Sequence, residues 1–315
     1  VFSFVLVHYS SIFAPQFLER MANLKEVRIR IASVNTTQQI TKAMKLVAAS
    51  KLKRAQDRIL QLRPYSEKLN EMLSNIMSNV QGGGSLSLNK KRPVKKVLIV
   101  LITSDKGLCG GFNSNLIKVV RRLLVETYAE QRKKGDVTIL SVGKKGLDYF
   151  KKEKGLSFIN DYVSLMHQIN FDKSKQLSEF MMNSFSEEKF DVIEVVYARF
   201  VNAATQKFLV ERFLPVEASK DSKKHAKADY IFEPEQDELL AELVPKILNT
   251  QVFKALADTN ASEHGARMVA MDSATNNAQE LIRQLKIQYN RERQAAITKE
   301  ILEIVGGAAA LAEKA

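Results

Sequence analysis

The sequence has no tryptophan, a single cysteine and only four histidines in 315 residues. The lone thiol, Cys109, excludes an internal disulfide framework and fits a reducing compartment. The histidines, His8, His167, His225 and His264, are scattered, and neither HExxH nor CxxC nor any other metal-ligand spacing occurs. No catalytic triad or dyad can be assembled, so no catalytic residue, cofactor or metal is expected. Acidic residues are also in short supply: 35 against 48 basic ones, a net charge of +13. That balance favours nucleic acid, an anionic membrane surface or an acidic protein as partner, with bare solubility as the plain alternative. Long apolar runs are missing too. The opening "VFSFVLVHYSSIFAPQFLER" has no basic residue before Arg20, so it lacks the charge of a signal or transit peptide. It is also too interrupted to span a bilayer, which takes ~20 apolar residues. Residues 1–20 are therefore expected to be an upstream extension with Met21 as the natural start, or else a cleaved leader. No other segment is expected to cross a membrane.

What is present begins at Leu24. Apolar and small residues step by three and four through Val27, Ile31, Val34, Gln38, Thr41, Lys45, Ala48, Leu52, Ala55, Ile59 and Leu62. This seven-residue repeat is the signature of a helix wound on another helix, apolar at both ends and polar in the middle. Residues 21–80 are expected as that coil segment, its helix from Leu24 to Ser78 ~80 Å long at 1.5 Å per residue, with Pro64 as a kink point. A Gly- and Lys-rich linker follows over 81–96. Residues 97–215 then alternate strand patterns ("KVLIVLIT", "DVTILSVG", "FDVIEVVYARF", "TQKFLVERFLPV") with helical ones, which predicts an α/β domain of mainly parallel, Rossmann-like build. Residues 216–260 read as a loop and a connecting helix. From 261 to 315 the helical period returns: Met268, Met271, Thr275, Ala278, Ile282, Leu285 and Tyr289, then Ile297, Ile301, Ile304, Ala308 and Leu311. A helix over Ser262–Ala312 would be ~75 Å long, close to the first. Two such seams are most simply satisfied by an antiparallel two-helix coil of the terminal segments beside the α/β domain.

The tempting chemistry is "TSDKGLCGGFNSN" at 103–115, a glycine-rich turn between a buried strand and a helix, where phosphates bind in many α/β folds. It is neither GxGxxG nor a P-loop, and "GKKG" at 143–146 lacks the spacing too. A tight turn needing glycine for backbone room is the favoured reading, with Cys109 as a small packing residue. Two non-catalytic functions then compete: a basic coil that binds nucleic acid or scaffolds, and a coil that works mechanically inside an assembly. Nucleic-acid binding calls for aromatics interleaved with the basic residues, and the long helices have few. The chain's end, "EILEIVGGAAALAEKA", is small and apolar, which suits a tip seated in something narrow.

Four stretches, "ITKAMKLVAASKLKRAQ" (40–56), "SDKGLCGGFNSNL" (104–116), "ASEHGARMVAMDSATNNAQELI" (261–282) and "YNRERQAAITKEILEIVGGAAAL" (289–311), resemble the gamma subunits of F-type ATP synthases. The resemblance covers Met21 to Ala315 in order. It implies a non-catalytic central rotor at the cytoplasmic face of a bacterial inner membrane, coupling rotation of the c ring to ATP synthesis at beta. The implied partners are the alpha and beta subunits, epsilon and the c ring, with no nucleic acid and no small-molecule substrate of its own. By the same resemblance Arg293, Gln294 and Thr298, with Met44 and Lys45 across the coil, meet beta. Lys207, Glu211 and Arg212 in "VNAATQKFLVERF" meet the ring and epsilon, and Gly306, Gly307, Ala308, Ala309, Ala310 and Leu311 form a tip in an apolar sleeve. The basic "KLKRAQDR" (51–58) would oppose acidic beta loops. Plant-type relatives have a regulatory cysteine pair, and with Cys109 alone such a switch is excluded within this chain.

Overall fold

The computed structural model describes residues 24–79, 87–90, 92–216 and 236–312. The expected extension at 1–20, most of the glycine-rich linker and residues 217–235 lie outside them. The chain divides into two compact units, one of residues 40–274 and a smaller one of the described parts of 1–39 and 275–315.

The larger unit is built on a five-stranded sheet in the order β3-β2-β1-β4-β5. Its strands are β1 (Val97–Ile102), β2 (Val137–Val142), β3 (Ser157–Ile159), β4 (Val192–Phe200) and β5 (Gln206–Leu214). All pairings are parallel except β4 with β5. The sequence of β1, VLIVLI, is buried at every position, as a central parallel strand covered on both faces must be. Successive side chains point to opposite faces. Val97, Ile99 and Leu101 join Phe112, Leu116, Val120 and Leu124 on one side. Leu98, Val100 and Ile102 join Leu177, Met181 and Phe185 on the other. Each such residue contributes about 1.5–3 kcal/mol of burial, so the layers are fixed chiefly by this strand.

The covering helices are α2 (Phe112–Arg122), α3 (Ala129–Lys134), α4 (Lys144–Phe150) and α5 (Phe171–Ser186). The helical stretch between β1 and β2 is interrupted. A π turn at Leu123–Thr127 separates α2 from α3, and Tyr128 follows it, 2% exposed. The wider turn carries the bulky Tyr128 ring into the core. Strand β3 was not anticipated, because three residues carry too little pattern to read. Gly143, between β2 and α4, has φ +97°, and a Cβ there would lie 2.1 Å from the Thr103 carbonyl oxygen. Only glycine fits.

The two long helices are α1 (Leu24–Asn79) and α6 (Gln236–Ala312). They pack on each other, as the seven-residue repeats predict, and in the larger unit α6 also covers the sheet. Helix α6 starts well before Ser262, so the expected connecting helix and the coil helix are one element. Helix α6 runs through Pro245, and Val244, Leu248, Val252 and Leu256 are buried on the α5 side of the sheet. That burial outweighs the lost hydrogen bond at Pro245. Helix α1 likewise continues through Pro64. Between the two helices, Leu52, Ala55 and Ile59 meet Ala257, Ala261 and Phe200.

Candidate functional site

The smaller unit is a pair of helix segments. From α1, Leu24, Val27, Ile31, Val34 and Gln38 are buried or half-buried; from α6, so are Thr275, Ala278, Ile282, Leu285 and Tyr289. These are the positions the seven-residue repeat marked. The seam does not extend to Leu311, as the repeat suggested. Every residue from Arg293 to Ala309 is exposed, because α6 runs on past the first described turn of α1. Ile297, Ile301 and Ile304 continue the apolar stripe with 46%, 55% and 71% exposure, beside Leu302 and Val305 at 66% and 59%. An apolar patch of this kind on a monomer marks an interaction surface. Gly306 and Gly307 have nothing within 4 Å of where a Cβ would stand. Glycine inside a helix costs about 1 kcal/mol relative to alanine, and no local contact offsets it. Ala308 and Ala309 are exposed as well, while the side chains of Ala310 and Leu311 lie outside the described residues.

The residues implied to meet beta fall into two separate groups. Arg293, Gln294 and Thr298 sit on the exposed part of α6, and the Thr298 hydroxyl donates to the Gln294 carbonyl at 2.9 Å. Met44 and Lys45 are half-buried on α1, and Lys45 Nζ donates to Asp272 Oδ1 of α6 at 2.5 Å. The seam's polar middle thus has a cross-helix partner. An acid facing a seam lysine in the antiparallel helix was the available signal.

On β5 the three implied contact residues differ. Lys207 is exposed, opposite Arg199. Glu211 accepts from the Tyr197 hydroxyl at 2.6 Å and from Gln251 Nε2 at 3.4 Å. Burial, with Glu211 beside it, pushes the Tyr197 phenol far above its usual range. Arg212 bonds Glu194 at 3.3 Å, directly across the strand pair. Glu194 sits in the apolar run of β4 and is 5% exposed. A register shift at Ile193/Glu194 lets Phe213 turn into the core next to this pair. Burial, then Glu194, raises the Tyr128 phenol beside them. So Glu211 and Arg212 are tied into the domain, and Lys207 is the freer of the three.

The turn at 103–115 uses its polar groups internally. Ser104 N–H donates to Asn113 Oδ1 at 3.1 Å, and Asn113 Nδ2 donates to Ser104 Oγ at 2.8 Å and Cys109 Sγ at 3.3 Å. Burial pushes the Cys109 thiol up. Arg267 of α6, paired to Glu263 at 2.8 Å, donates to the carbonyls of Lys106 and Gly107. Gly110 and, unexpectedly, Leu108 adopt left-handed backbone. This wiring is that of a braced tight turn. Among the described residues no cluster of metal-ligating side chains occurs, and no helix is long and apolar enough to cross a membrane.

Together these features define a class: a chain whose first and last described helices pair in a coil and whose middle folds as a mainly parallel α/β domain. A family model described as ATP synthase matches residues 23–311. The ATP synthase gamma chain of Cytophaga hutchinsonii is 50% identical over 92% of this chain and 99% of its own length. That of Flavobacterium psychrophilum is 49% identical with the same coverage. The chain belongs to the ATP synthase gamma-chain family. Among solved structures, one of the Tetrahymena thermophila mitochondrial ATP synthase central stalk and c-ring matches with TM-score 0.53 and 27% identity, covering 75% of this chain and 99% of that one. A chain of the Euglena gracilis mitochondrial F1/c-ring structure shares the fold at TM-score 0.61 and 22% identity, over 91% and 94% of the two chains.

Proposed function

We propose that this chain is the central rotor shaft of a bacterial F-type ATP synthase and carries rotation from the c ring to the catalytic beta subunits. The observation that supports it most directly is the reach of α6 beyond the described part of α1, with exposed Ile297, Ile301 and Ile304 leading to Gly306 and Gly307. A turning contact must avoid deep interlocking and fixed ion pairs. A helix tip of small and apolar groups does so, at the cost of helix stability. The chain's part is mechanical, and the reaction's chemistry belongs to other subunits of the complex. The gamma-chain names of its relatives and the central-stalk structure with which it shares 27% identity support the same reading.

In this role the tip (306–311) turns within the alpha–beta hexamer, and Arg293, Gln294 and Thr298 form beta contacts that are made and released, each worth ~1 kcal/mol. Lys45 serves the coil itself through Asp272, with Met44 beside it as the beta contact on α1. Lys207, with Glu211 and Arg212 holding the strand beneath it, faces the c ring and epsilon. The division into a terminal coil, a domain over 97–215 and a connecting region fits that placement, at the cytoplasmic face of the inner membrane. The net positive charge serves the assembly, opposing acidic beta loops and an anionic leaflet. The test is purification of the tagged chain from gently solubilised membranes. Alpha, beta, epsilon and c are expected with it, together with ATPase activity. Recovery with nucleic acid and without ATPase would overturn the reading.

A further inference from the structure

A groove of about 380 Å³ is lined by residues of α1, by residues 166–169 and by Asn260 and His264 of α6. We propose that it is an anion site for a phosphate-bearing small molecule of pyrophosphate or nucleoside-diphosphate size. Three cations, Lys51, Arg54 and Arg58, form one wall. Their steps of three and four place them on a single helix face. No carboxylate lines the groove, and among the described residues none of the three cations lies within ion-pair distance of an acid. Three positive charges converging on a concavity raise the local concentration of anions, and two guanidinium forks match phosphate oxygens in a bidentate manner.

The rest of the lining is polar but uncharged. Gln168 and Asn260 bring amides. Burial, with Arg267 and Lys51 nearby, holds the His264 ring at about 4, so it is a neutral hydrogen-bonding group at pH 7. The volume falls at the lower end of small-ligand sites, about 300–1,000 Å³. A concave lining drawn from both long helices favours a compact anion over an extended acidic segment, which would suit a convex basic face. A ligand here would tie α1 to the 166–169 segment. The proposal does not depend on the rotor reading.

The test is calorimetric titration of the isolated full chain with inorganic phosphate, pyrophosphate and ADP at fixed ionic strength. Saturable one-to-one binding of pyrophosphate or ADP is expected, and the Arg54→Gln/Arg58→Gln double variant should weaken it at least tenfold. Lys25→Gln/Arg28→Gln, which removes two cations elsewhere on α1, should leave it unchanged. A second readout needs no variant: bound ligand should protect Lys51 from an amine-acetylating reagent while Lys53 reacts as before. ADP binding tighter than pyrophosphate identifies a nucleotide as the natural occupant, and equal affinities identify an inorganic one. Equal loss in both double variants would mean diffuse attraction and overturn the proposal. So would binding of polyglutamate, but not pyrophosphate, with dependence on Arg54 and Arg58.

Discussion

Replacing Arg212 by methionine should destabilise the isolated chain before any partner is present. Glu194 lies in the middle of β4 with 7% side-chain exposure, and Arg212 is the cation that bonds it at 3.3 Å. Its second carboxylate oxygen is buried without a hydrogen bond. Removing one partner of a buried ion pair costs about 3–5 kcal/mol, because the other charge is left in a poor solvent. Arg212 itself is 38% exposed, so water already screens part of the pair and can reach Glu194 once the guanidinium has gone. Discounted for that, the cost is about 2 kcal/mol, a roughly thirtyfold change in the folding equilibrium at 1.36 kcal/mol per decade. With a urea m-value of about 3 kcal/mol/M, the midpoint should fall by about 0.7 M. Replacing both residues, Glu194→Leu with Arg212→Met, should recover most of the loss, since an apolar pair of similar volume needs no counter-charge. Urea unfolding of the three proteins decides it. An unchanged midpoint for Arg212→Met would refute the dependence of Glu194 on this cation. If the loss is found, reduced activity of an Arg212 variant in the complex cannot be read as a lost ring contact.

His264 has a folded value of about 4 against an ordinary 6.5, so below about pH 6.5 the unfolded chain takes up a proton that the folded chain refuses. Stability from this residue is full above pH 6.5 and falls as pH drops toward 4, by up to about 3 kcal/mol. Burial raises Asp258 and Glu263 and offsets part of this fall. His264→Gln should therefore flatten the melting-temperature profile between pH 6.5 and 4, and a superimposable profile would exclude the residue as its source. For Lys45 and Asp272, 41% and 46% exposed, a double-mutant cycle should give a coupling within ~1 kcal/mol. Lys45→Ala and Asp272→Ala should then affect coupled ATP synthesis alike, and a loss confined to Lys45→Ala would assign that lysine to beta. Gly306→Ala with Gly307→Ala should stabilise α6 by up to about 2 kcal/mol and keep synthesis, whereas Gly307→Arg should lower it. Equal synthesis with arginine would remove the tip from any close sleeve. Replacing Arg293, Gln294 and Thr298 together by alanine should lower coupled synthesis with assembly intact, and unchanged rates would count against that contact.

How far the sequence carried depended on whether a feature left a period behind it. The seam residues from Leu24 to Leu62 are all buried or half-buried, because packing two helices imposes a repeat that sequence must show. Strand β1 was legible for the same reason: double-sided burial leaves a continuous apolar run. The start of α6 was not, since Pro245 and Gly265 are local signals and the burial of Val244 and Leu256 on the sheet is a tertiary one. Glu194 hid inside VIEVV, and only pairing with β5 reveals its partner. The π turn before Tyr128 and the three-residue β3 have no period at all.

The proposed working surfaces are harder to read, and for a physical reason. A catalytic site concentrates titratable groups, and a docking groove concentrates apolar ones. A contact that is made and broken once per turn can do neither without becoming a lock. Arg293 and Gln294 accordingly look like any solvated helix face, and the resemblance to gamma chains singled them out where pattern could not. What geometry adds is the limit of the coil: the stripe of Ile297, Ile301 and Ile304 continues a seam whose partner helix, among the described residues, has ended. An apolar stripe that no described helix covers suits a surface of another chain. Gly306 and Gly307 at its end, where alanine would make a firmer helix, fit the proposal that the helix turns along that surface.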